Sequence, residues 1–311
     1  MNPEWHGKGM NGGARRLRAS LMAAALSAGG QPRLLASQES AGAPIEKAVA
    51  IVSSSRTGPY REALEGVRQE LGASVPTFIL SEGEPKLPGS TSVVIALGSK
   101  AALMTYPKRA TLVYAMAPGT TAEARGAVKI SMQADAPTLL ARLKRIQPGL
   151  KTLAVFWESS RFEDYASNLR RAAGPLGLKI KGVAVKDGAD IPDDLRALYG
   201  SVDAIWLPPD PLLINAANLP VFVEFSKSNK VPLFVPTGGL AKEGAIASVG
   251  PTFKEMGRLA GEAAKRALEG LTQGDTVYAS RVEVVINKPV AEGIGLEIPE
   301  EALAGADKVL P

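Results

Sequence analysis

The residues of this chain with polar chemistry to offer sit mostly in one kind of place, just after a short apolar run. Ser54 and Ser55 follow one such run, Gly98 and Ser99 a second, and Ala117 and Pro118 a third. Glu158, Ser159 and Ser160 follow a fourth, Asp210 a fifth, and Thr237 with Gly238 and Gly239 a sixth. Small hydroxyl residues and glycines at the starts of helices leave backbone amides and hydroxyls unengaged, a combination that suits a carboxylate or another anionic group. The same residue types are also the preferred helix caps, so Thr57, Ser160 and Asp210 each read equally as a cap.

The inventory of other reactive groups is short. The chain has no cysteine, which removes disulfides, thiolate catalysis and cysteine-ligated metals. Its single histidine is His6, ahead of the patterned part of the sequence, so histidine acid–base chemistry and most transition-metal sites go as well. What remains is carboxylates, hydroxyls, Lys, Arg and backbone, with no cofactor implied. G-x-G-x-x-G is absent after the first strand, where residues 53–58 stand instead, and there is no G-x-S-x-G, so an enzyme of Rossmann or hydrolase type is disfavoured.

The elements that must position these loops are strands alternating with helices. Residues 48–52 read as a buried strand, 53–58 as a loop, and Pro59 as the first residue of a helix carrying Tyr60, Ala63, Leu64, Val67 and Leu71 at helical spacing, closed by Gly72. Residues 75–80, 92–97 and 112–116 are the next strands. The second half repeats the plan. Strand 153–157 with a Ser160–Glu163 capping box matches the first strand and helix, while 204–207 and 233–235 match 93–97 and 112–116. Offsets of roughly 105 to 120 residues suit a duplicated α/β lobe better than a solenoid. At 311 residues and 45% hydrophobic content, the chain is long enough for two such lobes.

The fold expected is therefore α/β, with two similar doubly wound parallel-sheet lobes, a ligand cleft between them and hinge strands joining them. The lobes are residues 45–131 with 248–277, and 132–247 with 278–311, with crossings near 129–134, 245–250 and 275–281. In open sheets of this kind ligands bind beyond the carboxyl ends of the strands. Trp157 is the last residue before its loop and a candidate pocket wall. An aromatic there, like Trp206, Phe156 and Tyr114 nearby, is also an ordinary core residue.

Residues 231–257, VPLFVPTGGLAKEGAIASVGPTFKEMG, read as strand, glycine-bearing loop, helical turn, strand and a Thr252–Glu255 capping box. Phe253, Met256, Ala260, Ala263, Ala264 and Ala267 then share one face of a helix stopped near Gly270. In "KEGAIASVG", "EMGRLAGEAAKRALEG" and the closing "VEVVINKPVAEGIGLEIPEEAL" the chain resembles the substrate-binding proteins of the ABC importers that include the tryptophan and tyrosine binders. The resemblance spans residues 46–311. It implies a type I periplasmic-binding-protein fold, no catalysis, a small-molecule ligand such as an amino acid or related metabolite, and delivery to an ABC permease and ATPase complex.

It also implies ligand contacts in the strand-end loops, here Ser54, Ser55, Gly98, Ser99, Pro118, Trp157, Ser159, Ser160, Asp210, Thr237 and Gly238. Asp210 in Pro208-Pro209-Asp210-Pro211 is then the natural partner of a ligand ammonium. Ala117-Pro118 departs from the Asp-Pro usual at that point, so one charge of the family's pocket is missing.

The net charge of +5 is concentrated at the start. Residues 1–44 carry Lys8, Arg15, Arg16, Arg18 and Arg33 against Glu4 and Glu39, a net of +3 that leaves +2 for the rest, and no basic run points to nucleic acid. The cluster at 14–18, the apolar stretch 19–28 and the small residues 41–43 read as an export signal or a disordered extension. An exported product without cysteine has no lipid anchor, and is expected as a periplasmic monomer that meets the membrane only through its permease. A DNA-binding regulator is disfavoured, because residues 1–44 show no two-helix pattern. A sensor subunit with the same two lobes remains the alternative to the importer.

Overall fold

The computed structural model describes residues 48–158, 162–272 and 274–311. The reading of residues 1–44 as an export signal, and the Ser159 and Ser160 assignments, lie outside these. Thirteen strands are present among the described residues: β1 Val49–Ser53, β2 Thr77–Ile79, β3 Val93–Leu97, β4 Thr111–Ala115, β5 Val128–Ala134, β6 Thr152–Trp157, β7 Lys179–Ala184, β8 Ala204–Trp206, β9 Leu233–Val235, β10 Ala247–Gly250, β11 Thr276–Ala279, β12 Glu283–Asn287 and β13 Lys308–Leu310. Ten α-helices alternate with them: α1 Gly58–Leu71, α2 Ser99–Ala102, α3 Ala136–Ile146, α4 Glu163–Ala173, α5 Ile191–Arg196, α6 Leu219–Asn229, α7 Gly238–Lys242, α8 Phe253–Leu268, α9 Lys288–Gly293 and α10 Glu300–Ala304.

The strands form two sheets. The first has the order β11-β5-β4-β3-β1-β2 and is parallel throughout. The second has the order β13-β12-β10-β9-β8-β6-β7 and is parallel except where β10 meets β12. Within these, β2-β1-β3-β4-β5 and β7-β6-β8-β9-β10 run in the same sequence, so the duplication legible in the sequence is a duplication of topology. The central strands are apolar along nearly all of their length, as sheets covered on both faces require. Every residue of β1, β3, β8 and β9 is buried.

The chain passes between sheets three times: between β5 and β6, from β10 into α8, and between β11 and β12. Helix α8 follows a strand of the second sheet yet packs beside α1, and its Met256, Ala260, Ala263 and Ala264 join the core that carries Val49, Ile51, Ile95 and Val113 of the first. Its start is fixed as expected, Thr252 Oγ1 accepting from the Glu255 amide at 3.0 Å. The reciprocal half of the capping box is replaced, because Arg258 holds the Glu255 carboxylate through two hydrogen bonds of 2.7 Å. A guanidinium one turn along offers a charged, bidentate partner that outcompetes a backbone amide. No helix among the described residues is long and apolar enough to cross a membrane.

Candidate functional site

In each sheet the strand order reverses at one place, between β1 and β3 in the first and between β6 and β8 in the second. The loops leaving these pairs of strands diverge and leave a crevice. Ser54, Gly98, Ser99, Pro118 and Asp210 lie on or beside these loops.

In the first sheet, Ser54 Oγ accepts from the Ala101 amide at 3.0 Å and so caps α2 from a neighbouring strand. Gly98 has φ +96, and a Cβ on it would lie 2.6 Å from Ser54 Oγ and 2.7 Å from the Tyr60 ring, so only glycine fits this crossing. Ser99 is tied to the third loop, its Oγ accepting from Thr120 Oγ1 at 3.0 Å. Ser55 turns away into its own loop, its Oγ accepting from the Thr57 amide at 3.3 Å.

The equivalent tie in the second sheet is Asp210. It is fully buried; Oδ2 accepts from the Glu158 amide at 3.1 Å and Oδ1 from the Leu212 amide at 3.0 Å. Its own carbonyl accepts from Leu213 and Ile214 at 3.1 and 2.8 Å, closing a turn rather than starting a helix. Burial, and after it the charges of Asp210 and Asp187, raise the Glu158 carboxyl above its ordinary range. The two sets of loops meet beside Pro118: a Cβ on Gly119 would sit 3.4 Å from Cδ of Pro211. Trp157 is 6% exposed, with its ring against Gly182 of β7 and Arg170 of α4 lying 5.9 Å from the ring centroid.

Thr237 and Gly238 lie elsewhere, on a cavity of about 440 Å³ whose wall also includes Pro59 and Glu62 of α1, Ser248 of β10 and Glu283 of β12. It draws on strands of the second sheet and on helices α1 and α8 that pack on the first, and its size falls within the range of small-molecule sites. Sequence reading passed over Glu62, Ser248, Glu283, Lys242 and Lys308, all on this wall. None carries a local signal, since they lie on separate elements and are united only by the chain crossings.

The carboxyl of Glu283 is held above the usual carboxylate range, first by burial, then by Asp307 and Glu62, with Lys308 opposing. A raised value in the fold means that stability is fully present below the unfolded value and falls as pH rises through and above the carboxylate range. Glu283→Gln removes that loss. Its melting temperature relative to the parent is expected to be more favourable at pH 7 than at pH 4, and an equal difference at both would contradict this. Among the described residues no cluster of His, Asp and Glu is arranged to hold a metal ion.

Against known proteins, the family model described as ABC transporter substrate binding protein matches residues 135–310. A tyrosine-binding protein of Clostridioides difficile (strain R20291) is 22% identical over 162 residues, 51% of this chain and 46% of the relative. The match thus spans about half the length of that curated relative. Among solved structures, an ABC domain in complex with L-Trp from Streptococcus pneumonia is 21% identical with a TM-score of 0.58, covering 84% of this chain and all of that one. A ligand-free, open substrate binding protein from Clostridium difficile is 15% identical with a TM-score of 0.59, covering 85% and 99%. At these identities the structures speak to the fold.

Proposed function

From the premise that this chain belongs to the family of ABC transporter substrate binding proteins, we propose that it captures a small molecule between its two lobes and delivers it to an ABC permease and ATPase complex. The observation that carries this reading is the cavity walled by α1 and the start of α8, which pack on the first sheet, and by the Thr237–Gly238 loop, β10 and β12 of the second. A ligand that contacts both lobes stabilises the arrangement in which they are close, and by that differential affinity shifts the population toward it. Three crossings permit such a motion without breaking either sheet. No bond is made or broken in this role.

The lobes follow the two sheets, β1 to β5 with α8 and β11 in one, and β6 to β10 with β12 and β13 in the other. The strand-end loops at Ser54, Ser99, Pro118 and Asp210 serve as their facing rims. An amino acid or a related metabolite is the ligand class, in keeping with the names of the relatives. A thermal-shift screen of amino acids and small metabolites identifies the ligand, since binding to the native state alone raises the melting temperature. Small-angle scattering should then give a smaller radius of gyration at saturating ligand, and an unchanged radius would remove the closure mechanism.

The protein acts outside the cytoplasm, with residues 1–44 as its export signal. Material recovered from its own cell is expected to begin near Ser37 or Pro44. An intact Met1 or Met10 on a cytosolic product would overturn the importer role.

A further inference from the structure

The cavity at Thr237 and Gly238 is lined by two carboxylates that reach it from different halves of the molecule, Glu62 on α1 and Glu283 at the start of β12. Lys242 and Lys308 line it too. None of these four side chains joins an ion pair among the described residues. Ser248, 1% exposed, lines the same cavity and puts a hydroxyl on its wall.

We propose that this cavity recognises its ligand by a positively charged amine, gripped between Glu62 of the first lobe and Glu283 of the second, with the Ser248 hydroxyl accepting from it at the floor. The assignment rests on the solute-binding reading and gives that reading its ligand chemistry. Two carboxylates brought together across an empty cavity repel, which disfavours closure without ligand. An ammonium between them replaces that repulsion with two charge-assisted hydrogen bonds, so cation binding and lobe closure become one event. Burial, then Asp307 and to a lesser degree Glu62, hold Glu283 toward its neutral form against Lys308. Lys242 and Lys308 set the limit on the rest of the ligand. A second cationic group would meet like charge, whereas a neutral or carboxylate remainder would not. The ligand class is therefore an amine with a neutral or acidic remainder rather than a diamine.

The test is titration calorimetry on the full chain with three matched probes: L-tyrosine, tyramine, and the deaminated acid hydroxyphenylpropionate. L-tyrosine should bind, tyramine should bind more weakly, and the deaminated acid should give no heat. Glu62→Gln and Glu283→Gln should each weaken L-tyrosine by roughly 10- to 150-fold, the range set by one hydrogen bond to a charged group. Both variants should melt at or above the parent temperature at pH 7, so lost affinity cannot be lost fold. Equal binding of the deaminated acid, or parental affinity in both variants, would place the amine elsewhere and overturn the assignment while leaving solute binding intact. Failure of both amines to bind would also overturn it; the solute-binding reading then stands or falls on the wider thermal-shift screen.

Discussion

Gly257→Ala is expected to destabilise the protein by about 3 kcal/mol, the upper part of the range for overpacking a close contact. In an isolated helix the same change is favourable by about 1 kcal/mol, because glycine is the poorer helix former. The sign reverses here because α1 and α8 touch backbone to backbone. A Cβ on Gly257 would lie 1.8 Å from the Ala63 carbonyl oxygen, and one on Gly66 would lie 1.9 Å from that of Lys254. Neither partner is a flexible side chain that can swing aside, so the helices must separate. Gly66→Ala should therefore cost a similar amount. Gly293 at the end of α9 has no neighbour within 4 Å and serves as the control, where alanine is expected to be neutral or better. Urea unfolding of the three variants reads the differences directly, and a stabilised Gly257→Ala would refute the close crossing.

The crossing matters for function as well as for stability. Helix α1 brings Pro59 and Glu62 to the cavity, and α8 begins at Thr252 and Phe253 on the same wall. Two helices pressed this closely move together, so the two glycine contacts, Gly257 on Ala63 and Gly66 on Lys254, set where half of the cavity stands. A variant that survives the substitution by parting the helices is expected to lose ligand affinity along with stability.

How much of this was legible in the sequence depends on the range of the interaction concerned. The Thr252 cap, Pro59 at a helix start, and the buried runs of β1, β3 and β4 are local patterns, and the structure has them within a residue or two of where they are read. The strand β7 was missed because most of Lys179–Ala184 is exposed at the sheet edge, which leaves neither a continuous apolar run nor a clean alternation. β13 is only three residues long and two of them are exposed.

Site residues divide in the same way. Ser54 and Gly98 are legible as strand-end residues because each directly follows an apolar run, a local pattern. Glu62 and Glu283 read as ordinary surface acids, and only the passage of the chain from β10 into α8 and from β11 to β12 brings them to one cavity. Trp157 stands at the end of its strand as the sequence indicates. Its ring packs over Gly182, a neighbour on β7 that no spacing within β6 can reveal.

Asp210 is the residue for which local and long-range readings give the most different outcomes. As a helix cap it would be exchangeable with Asn at almost no cost, since the two rank nearly equally. In the structure both carboxylate oxygens accept backbone amides, one of them from Glu158 on a loop that is distant in sequence. Asn keeps one acceptor and sets its NH2 group opposite the other amide, so one buried N–H is left unmet. Asp210→Asn is therefore expected to lose about 1 to 3 kcal/mol, and Asp210→Ala, which abandons both amides, about 2 to 6 kcal/mol. Thermal and urea unfolding would show this, and an unchanged Asn variant would restore the simple cap.

Binding adds a second discriminant. If Asp210 acts by anchoring the Glu158 loop, its loss weakens every ligand that touches that loop, whatever the ligand's charge. If it meets an ammonium directly, only amine-bearing ligands suffer, by roughly 10- to 150-fold. Both amides already occupy the carboxylate of a side chain with no solvent exposure. The expected result is therefore a uniform loss across ligands, which would make Asp210 the post that holds the second lobe's rim in place and leave charge recognition to Glu62 and Glu283.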